Sequence, residues 1–128
     1  IDPACLVHSD FTSEGGFNAF GQLLRLPTPP TAIFASNDLM AIGGICAAAE
    51  AKVRVPEQLS VIGYDDIALA SYSTPRLTTV AQPKYAMGEM ITQLLLARIG
   101  GGNVPLRREL LTTTLVERQS TAPPSHQP

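Results

Sequence analysis

Three short polar clusters, each set directly after an apolar run, hold the side chains in this chain that could do chemistry. They are Asp10-Phe11 after "ACLVHS", Asn37-Asp38 after "TAIFAS" and Asp65-Asp66 after "SVIGY". A carboxylate accepts two hydrogen bonds from neighbouring hydroxyls, an amide both donates and accepts, and an aromatic face covers an apolar ring surface. Together these groups suit a neutral polyhydroxylated ligand such as a sugar, or a flat base. Each cluster also has a plainer reading. Asn37 or Asp38 is a favoured helix-capping residue, Asp65-Asp66 can form an Asx-turn, and Phe11 can belong to the core.

Other chemistries fit less well. Asp65-Asp66 could hold magnesium as in a phosphotransfer receiver, with Lys84 on the phosphate and Asp38, at a neighbouring strand end, as the phosphoacceptor. The acidic pair of a receiver belongs on its first strand, however, and here it comes late. His8 falls inside an expected strand and His126 in the tail, so no nucleophile–base pair is formed. Cys5 and Cys46 have no metal-ligand spacing such as Cys-x-x-Cys. Cys46 sits within an apolar helical stripe and reads as a small core residue. Neither an enzyme nor a cofactor is expected.

The elements that must position the clusters follow from the pattern around them. Residues 4–11 read as a strand. Thr12-Ser13-Glu14 then starts a helix with Phe17, Phe20 and Leu24 at helical spacing, and "LPTPP" stops it. "TAIFAS" at 31–36 is nearly all apolar, the mark of a strand buried on both faces. A helix follows in which Leu39, Ile42, Cys46, Ala49 and Val53 recur three and four residues apart. "VRVPEQL" is a turn and "SVIGY" at 60–64 a further buried strand. Residues 65–82 form a long loop whose middle, "LTTVAQ", can be extended. "YAMGEMITQLLLARI" is an amphipathic helix with Met87, Ile91, Leu94, Leu95 and Arg98 along one side, ended by "GGGN". "RRELLTTTLVERQS" reads as a last strand, with Arg107-Arg108 on a solvated edge. "TAPPSHQP" is too proline-rich and polar to pack, and residues 123–128 are expected to be a disordered tail. Buried strands alternating with helices predict an α/β fold, a parallel sheet flanked by helices. In such sheets ligands bind beyond the carboxyl ends of the strands, so the three clusters are expected to meet on one rim.

The bulk properties limit the classes of function. With 128 residues the chain can build one domain and not two. Lysine and arginine total 9 against 11 acids, which does not supply the dense basic face that nucleic-acid binding requires. The apolar stretches fall well short of the ~20 residues that cross a bilayer. No signal-peptide pattern opens the chain, and with no initial methionine it is expected to be a fragment of a longer protein.

The segments "PTAIFASNDLMAIGG", "VRVPEQLSVIGYDDIALASYSTPRLTTVAQP", "MGEMITQLLL" and "LVERQSTAPP", in this order and spacing, resemble the C-terminal part of the effector-binding region of LacI/GalR-family transcriptional regulators. The resemblance runs to about Pro124. It implies a partial lobe of the type I periplasmic-binding-protein (flavodoxin-like) fold over residues 1–122. It also implies a cytoplasmic regulator whose small-molecule effector, a sugar or a purine-like compound, alters the grip of a separate headpiece on operator DNA. By the same resemblance Phe11 stacks on the effector, Asn37 and Asp65 hydrogen-bond it, Gln82 adds a contact, and the loop carrying Tyr72 belongs to a homodimer surface. The matching helix over 85–99 packs in that family on an N-terminal lobe, which, like the headpiece, is not expected in this chain. A periplasmic sugar-binding protein of a transport system shares the core architecture and is the alternative reading.

Overall fold

Apolar β-branched runs separated by capped helices pair here in chain order. In the computed structural model, which describes residues 2–100 and 108–124, a four-stranded sheet is ordered β1 (Ala32–Phe34), β2 (Ser60–Asp65), β3 (Thr78–Ala81), β4 (Thr114–Val116). The first three strands are parallel, with Ile33 opposite Val61 and Gly63 opposite Thr79. The fourth runs antiparallel to β3, so the sheet is mixed rather than wholly parallel.

Helix α1 (Ser13–Leu23) starts where Thr12 accepts the amide of Gly15, and α2 (Asp38–Glu50) starts where Asn37 accepts that of Met40. These two helices lie against each other and cover one face of the sheet. Their core joins Phe20 and Leu23 of α1, Met40 and Ile45 of α2, and Ile33, Val61 and Leu77 from the sheet and its approaches. The approach of α1 to α2 depends on the absence of a side chain at two positions. A Cβ on Gly16 would strike the backbone of Met40, and one on Gly43 would strike the carbonyl of Ser13.

Several expectations are corrected. Residues 4–11 form no strand: Pro3–Cys5 is a 3-10 turn, begun by Asp2 accepting the amide of Ala4, and the following residues are not paired with β1. An extended segment is a strand only when a neighbour satisfies its backbone. β1 is buried on one face only, since Ile33 is covered while Phe34 is exposed and meets Tyr64 edge-on at a centroid distance of 6.5 Å. The expected inward stripe of α2 is only partly inward: Ile42 and Val53 are half-buried against the core. Leu39, Cys46 and Ala49 are exposed, and the buried residues are Asp38, Met40, Ala41, Gly43, Gly44, Ile45, Ala47 and Ala48. A helix that is apolar all round gives no periodic signal for the buried side. Small residues decided the face because they let α1 come close.

Helix α3 (Lys84–Ile99) forms as expected, ending at Gly100, but buries no residue completely. Met87, Met90 and Leu94 line a groove of about 330 Å³ with Tyr64 and Leu111, while Ile91, Leu95, Leu96 and Ile99 are exposed. Residues 119–122 pack closely. Ser120 is buried, its hydroxyl donating to the carbonyl of Val61 and accepting the amide of Thr78, and its carbonyl accepts the amide of Val61. Thr121 meets Thr78 and Ala122 meets Ser60, so these two residues of "TAPPSHQP" are ordered by the sheet. Arg107, Gly101-Gly102-Asn103 and His126 lie outside the described residues. No described helix is long and apolar enough to cross a membrane.

Replacing Gly43 by Ala places a methyl group on a backbone carbonyl that has no rotamer with which to yield. Overpacking of this kind costs about 1–3 kcal/mol, set against about 1 kcal/mol gained in helix propensity. The Gly43→Ala variant is expected to be destabilised in urea unfolding; equal or higher stability would show that the helices can separate cheaply.

Candidate functional site

Because β1, β2 and β3 are parallel and adjacent, the residues following them emerge at one end of the sheet. Asn37-Asp38, Asp65-Asp66 and Gln82 therefore share a rim. The Asp10-Phe11 cluster joins them through a side chain. Asn37 Nδ2 donates to the carbonyl of Phe11 at 2.9 Å while Asn37 Oδ1 caps α2 at 2.8 Å. The amide is thus used at both ends inside the protein, which answers the capping question in favour of Asn37. It retains one N–H and one lone pair for anything else.

Phe11 adopts the left-handed backbone conformation, φ 64°, and its side chain is 60% exposed. The turn that presents it is fixed from its flanks. Asp10 Oδ1 accepts both the amide and the hydroxyl of Thr12, at 3.1 and 2.7 Å. The Thr12 hydroxyl holds the Asp10 carboxyl below its ordinary value of 3.8. Phe11 is an exposed ring at the rim and not a core residue.

The turn after β2 is unusual. Asp65 and Asp66 both have positive φ, 111° and 51°, a region that non-glycine residues occupy only when the surroundings enforce it. Four groups do so. The Lys84 ammonium donates to the carbonyls of Asp65 and Asp66 at 2.6 and 3.3 Å. Arg118 forms a 2.7 Å ion pair with the Asp66 carboxylate and also donates to the carbonyl of Leu77. The amide of Asp66 reaches the Thr79 hydroxyl at 3.4 Å, and the amide of Ile67 donates to Asp38 Oδ2 at 2.8 Å. With Asp66 occupied in this way, Asp65 is the carboxylate left at the rim. Its Oδ1 accepts from Gln82 Nε2 at 2.5 Å, so the four expected site residues form two directly contacting pairs, Asn37 with Phe11 and Gln82 with Asp65. Tyr72, at 81% exposure, stands apart in the loop after the 3-10 turn Ala68–Ser71.

Asp38 lies directly behind this turn and is fully buried. Its Oδ1 accepts from the Thr79 hydroxyl and its Oδ2 from the Ile67 amide. Burial pushes its pKa above the ordinary 3.8, against the pull of those two hydrogen bonds and with added repulsion from Asp65 and Asp66. Sequence reasoning treated Asp38 as a cap or a candidate phosphoacceptor and missed its role, together with those of Thr79 and Arg118. The available signal was Gly63 in the middle of β2, because a Cβ there would collide with the Asp38 carboxylate. The same geometry weakens the receiver reading. Asp38 is enclosed, Asp66 is bound to Arg118, and Lys84 serves backbone carbonyls. Among the described residues no three His, Cys, Asp or Glu side chains are grouped as metal ligands.

Known proteins share this arrangement of chain and fold. Residues 3–121 match the family model described as periplasmic binding protein-like domain. The chain is 43% identical over 121 residues to the HTH-type transcriptional repressor CytR of Escherichia coli K12, covering 94% of this chain and 36% of that protein. It is 46% identical over 114 residues to the ribose operon repressor of the same organism, covering 89% of this chain and 34% of that one. A solved transcriptional regulator, the CelR–cellobiose complex, superposes with a TM-score of 0.88 at 36% identity, over 94% of this chain and 37% of that chain. The chain thus spans about a third of the length of the curated relatives it matches.

The raised pKa of Asp38 gives a pH test of its burial. The folded state holds that proton more tightly than the unfolded state, so the stability linked to it is present below 3.8 and is lost as pH rises through the raised value. Asp38→Asn removes this titration. Wild type is therefore expected to gain stability relative to the Asn variant as pH falls from 7 towards 4; a difference that does not change with pH would contradict the burial.

Proposed function

The chain belongs to the family of periplasmic-binding-protein-like domains, and from that premise we propose that it is the effector-sensing part of a cytoplasmic LacI-type transcriptional regulator. The observation that carries this reading is the rim: an Asp65 carboxylate with one oxygen on Gln82 and the other available, beside an exposed Phe11 ring and a partly free Asn37 amide. These are acceptors, donors and an apolar face, equipment suited to holding a small molecule. A sugar fits best, since adjacent ring hydroxyls supply donors to a carboxylate and the apolar face of a pyranose or furanose lies on an aromatic ring. The CelR structure holds cellobiose by its description. A purine-like ligand would use Phe11 for stacking and Asp65 for a ring N–H. Both curated relatives are repressors by name, which favours a regulator over the transport protein.

In this reading residues 1–122 are the C-terminal part of the effector domain. Operator DNA is held by a helix-turn-helix headpiece elsewhere in the full-length gene product, and the effector shifts a two-state closure that the headpiece senses. The loop carrying Tyr72 contributes to a homodimer. The exposure of this aromatic ring supports that role, because large aromatics are enriched at protein interfaces.

Calorimetric titration of the full-length gene product with D-ribose, cellobiose and adenine tests the site. One of these is expected to bind, and Asp65→Ala is expected to cost about 1.5–3 kcal/mol for each hydrogen bond lost to the carboxylate. Affinity that survives Asp65→Ala intact would remove Asp65 from the site. Light scattering over a range of concentrations tests the second surface. Wild type should be dimeric and Tyr72→Asp shifted towards monomer, whereas a monomeric wild type at high concentration would dispose of the interface.

A further inference from the structure

Building on the reading of Asp65 as an effector contact, we infer that Asp38 is the positioning residue of the rim site: its buried carboxylate fixes the turn over Asp65, Asp66 and Ile67 and so aims the Asp65 side chain. Three independent features of the geometry meet at this group.

The first is the hydrogen-bond route. Asp38 Oδ2 takes the amide of Ile67 directly, at 2.8 Å. Asp38 Oδ1 takes the hydroxyl of Thr79, and that same hydroxyl oxygen takes the amide of Asp66. Two consecutive turn amides are therefore held by one carboxylate, one of them through Thr79. The second feature is the backbone that these bonds maintain. Asp65 and Asp66 both sit at positive φ, and neither has the freedom of glycine to stay there unaided. Released from its amide acceptors, the turn would lose support for these φ values and, with it, the placement of the Asp65 carboxylate at Gln82. The third feature is the space. β2 carries Gly63 where any side chain would collide with the Asp38 carboxylate, and Asp38 itself is sealed from solvent. A buried carboxylate that served only to start α2 would be superfluous, because Asn37 already caps that helix.

Other groups facing the turn do different work. Lys84 holds its carbonyls and Arg118 neutralises Asp66. Lys84 is exposed and Arg118 half-buried, whereas Asp38 provides the amide acceptors from within the sheet. Asp38 itself is enclosed and does not touch the ligand. It acts through the turn.

The test uses the full-length gene product and pairs a ligand-free readout with a ligand readout. Amide hydrogen exchange at Ile67 is compared with that at Val61 in wild type, Asp38→Ala and Asp38→Asn. Removing both acceptors in Asp38→Ala should speed exchange at Ile67 by about tenfold or more without a matching change at Val61. Asn can keep an acceptor on Ile67 and turn its NH₂ to the Thr79 oxygen, so Asp38→Asn should return exchange to within about threefold of wild type. Calorimetry with D-ribose on the same proteins should follow the same order. Should Asp38→Ala not fold, Thr79→Val and Thr79→Ser replace it, Val loosening the Asp66 amide and Ser restoring it. Unchanged exchange at the turn overturns the inference, as does an Asn variant no better than Ala. If exchange rises as expected and D-ribose binding survives in Asp38→Ala while Asp65→Ala abolishes it, the turn is held by Asp38 but does not aim the site, and the inference falls alone. If Asp65→Ala leaves D-ribose binding intact, the site reading itself falls and takes the aiming role with it.

Discussion

A carboxylate taken out of water is costly unless its oxygens are satisfied where it lies. At Asp38 they are, and the manner of their satisfaction organises the ligand end of the sheet. One oxygen reaches across β2 to Thr79 on β3, and the other reaches the chain leaving β2. The residue itself opens α2, where the partial positive charge of a helix N-terminus favours an anion. One side chain thereby ties the helix following β1 to the two strands beside it. Gly63 is the counterpart of this arrangement, since the carboxylate occupies the volume a side chain on β2 would need.

The consequences spread along the rim. A turn fixed from inside can hold two consecutive non-glycine residues at positive φ. Once held, it directs Asp66 towards Arg118 and Asp65 towards Gln82. Gln82 lies between β3 and α3, and Arg118 lies in the segment that leaves β4 towards Ser120, so the turn is linked both to the start of α3 and to the segment after β4. Since α3 buries no residue completely, the bonds from Gln82 and Lys84 to the turn add polar links at its start to the apolar groove along its side. On the proposed reading of Asp65 as an effector contact, a ligand competing for its carboxylate would disturb the Gln82 link just ahead of α3.

Much of this architecture was legible in the sequence where local chemistry decides it. A helix start at Thr12, a cap at Asn37 or Asp38, strands within 31–36 and 60–64, and a shared rim for the polar residues after them are all read from the sequence and all present. Legibility failed where the outcome depends on a distant partner. Residues 4–11 have strand-like composition but no paired neighbour. Cys46 and Leu39 have the spacing of a buried stripe, yet Gly16 and Gly43 let α1 settle on the opposite side of α2. Thr121 and Ala122 look like tail but are ordered through Ser60 and Thr78 on the sheet. The buried role of Asp38 was hidden for the same reason. An Asn-Asp pair before a helix reads as a cap, and only the three-dimensional placement of Thr79, more than forty positions away by chain number, shows that the second residue does something else.

A crystal structure of the full-length gene product with a bound sugar is the most direct measurement of the central claim. The account predicts a sugar hydroxyl within hydrogen-bond distance of the Asp65 carboxylate, with the ring against Phe11 and with Asp38 still holding the Ile67 amide and Thr79 hydroxyl. A sugar bound elsewhere, with Asp65 still engaged only by Gln82, would contradict it.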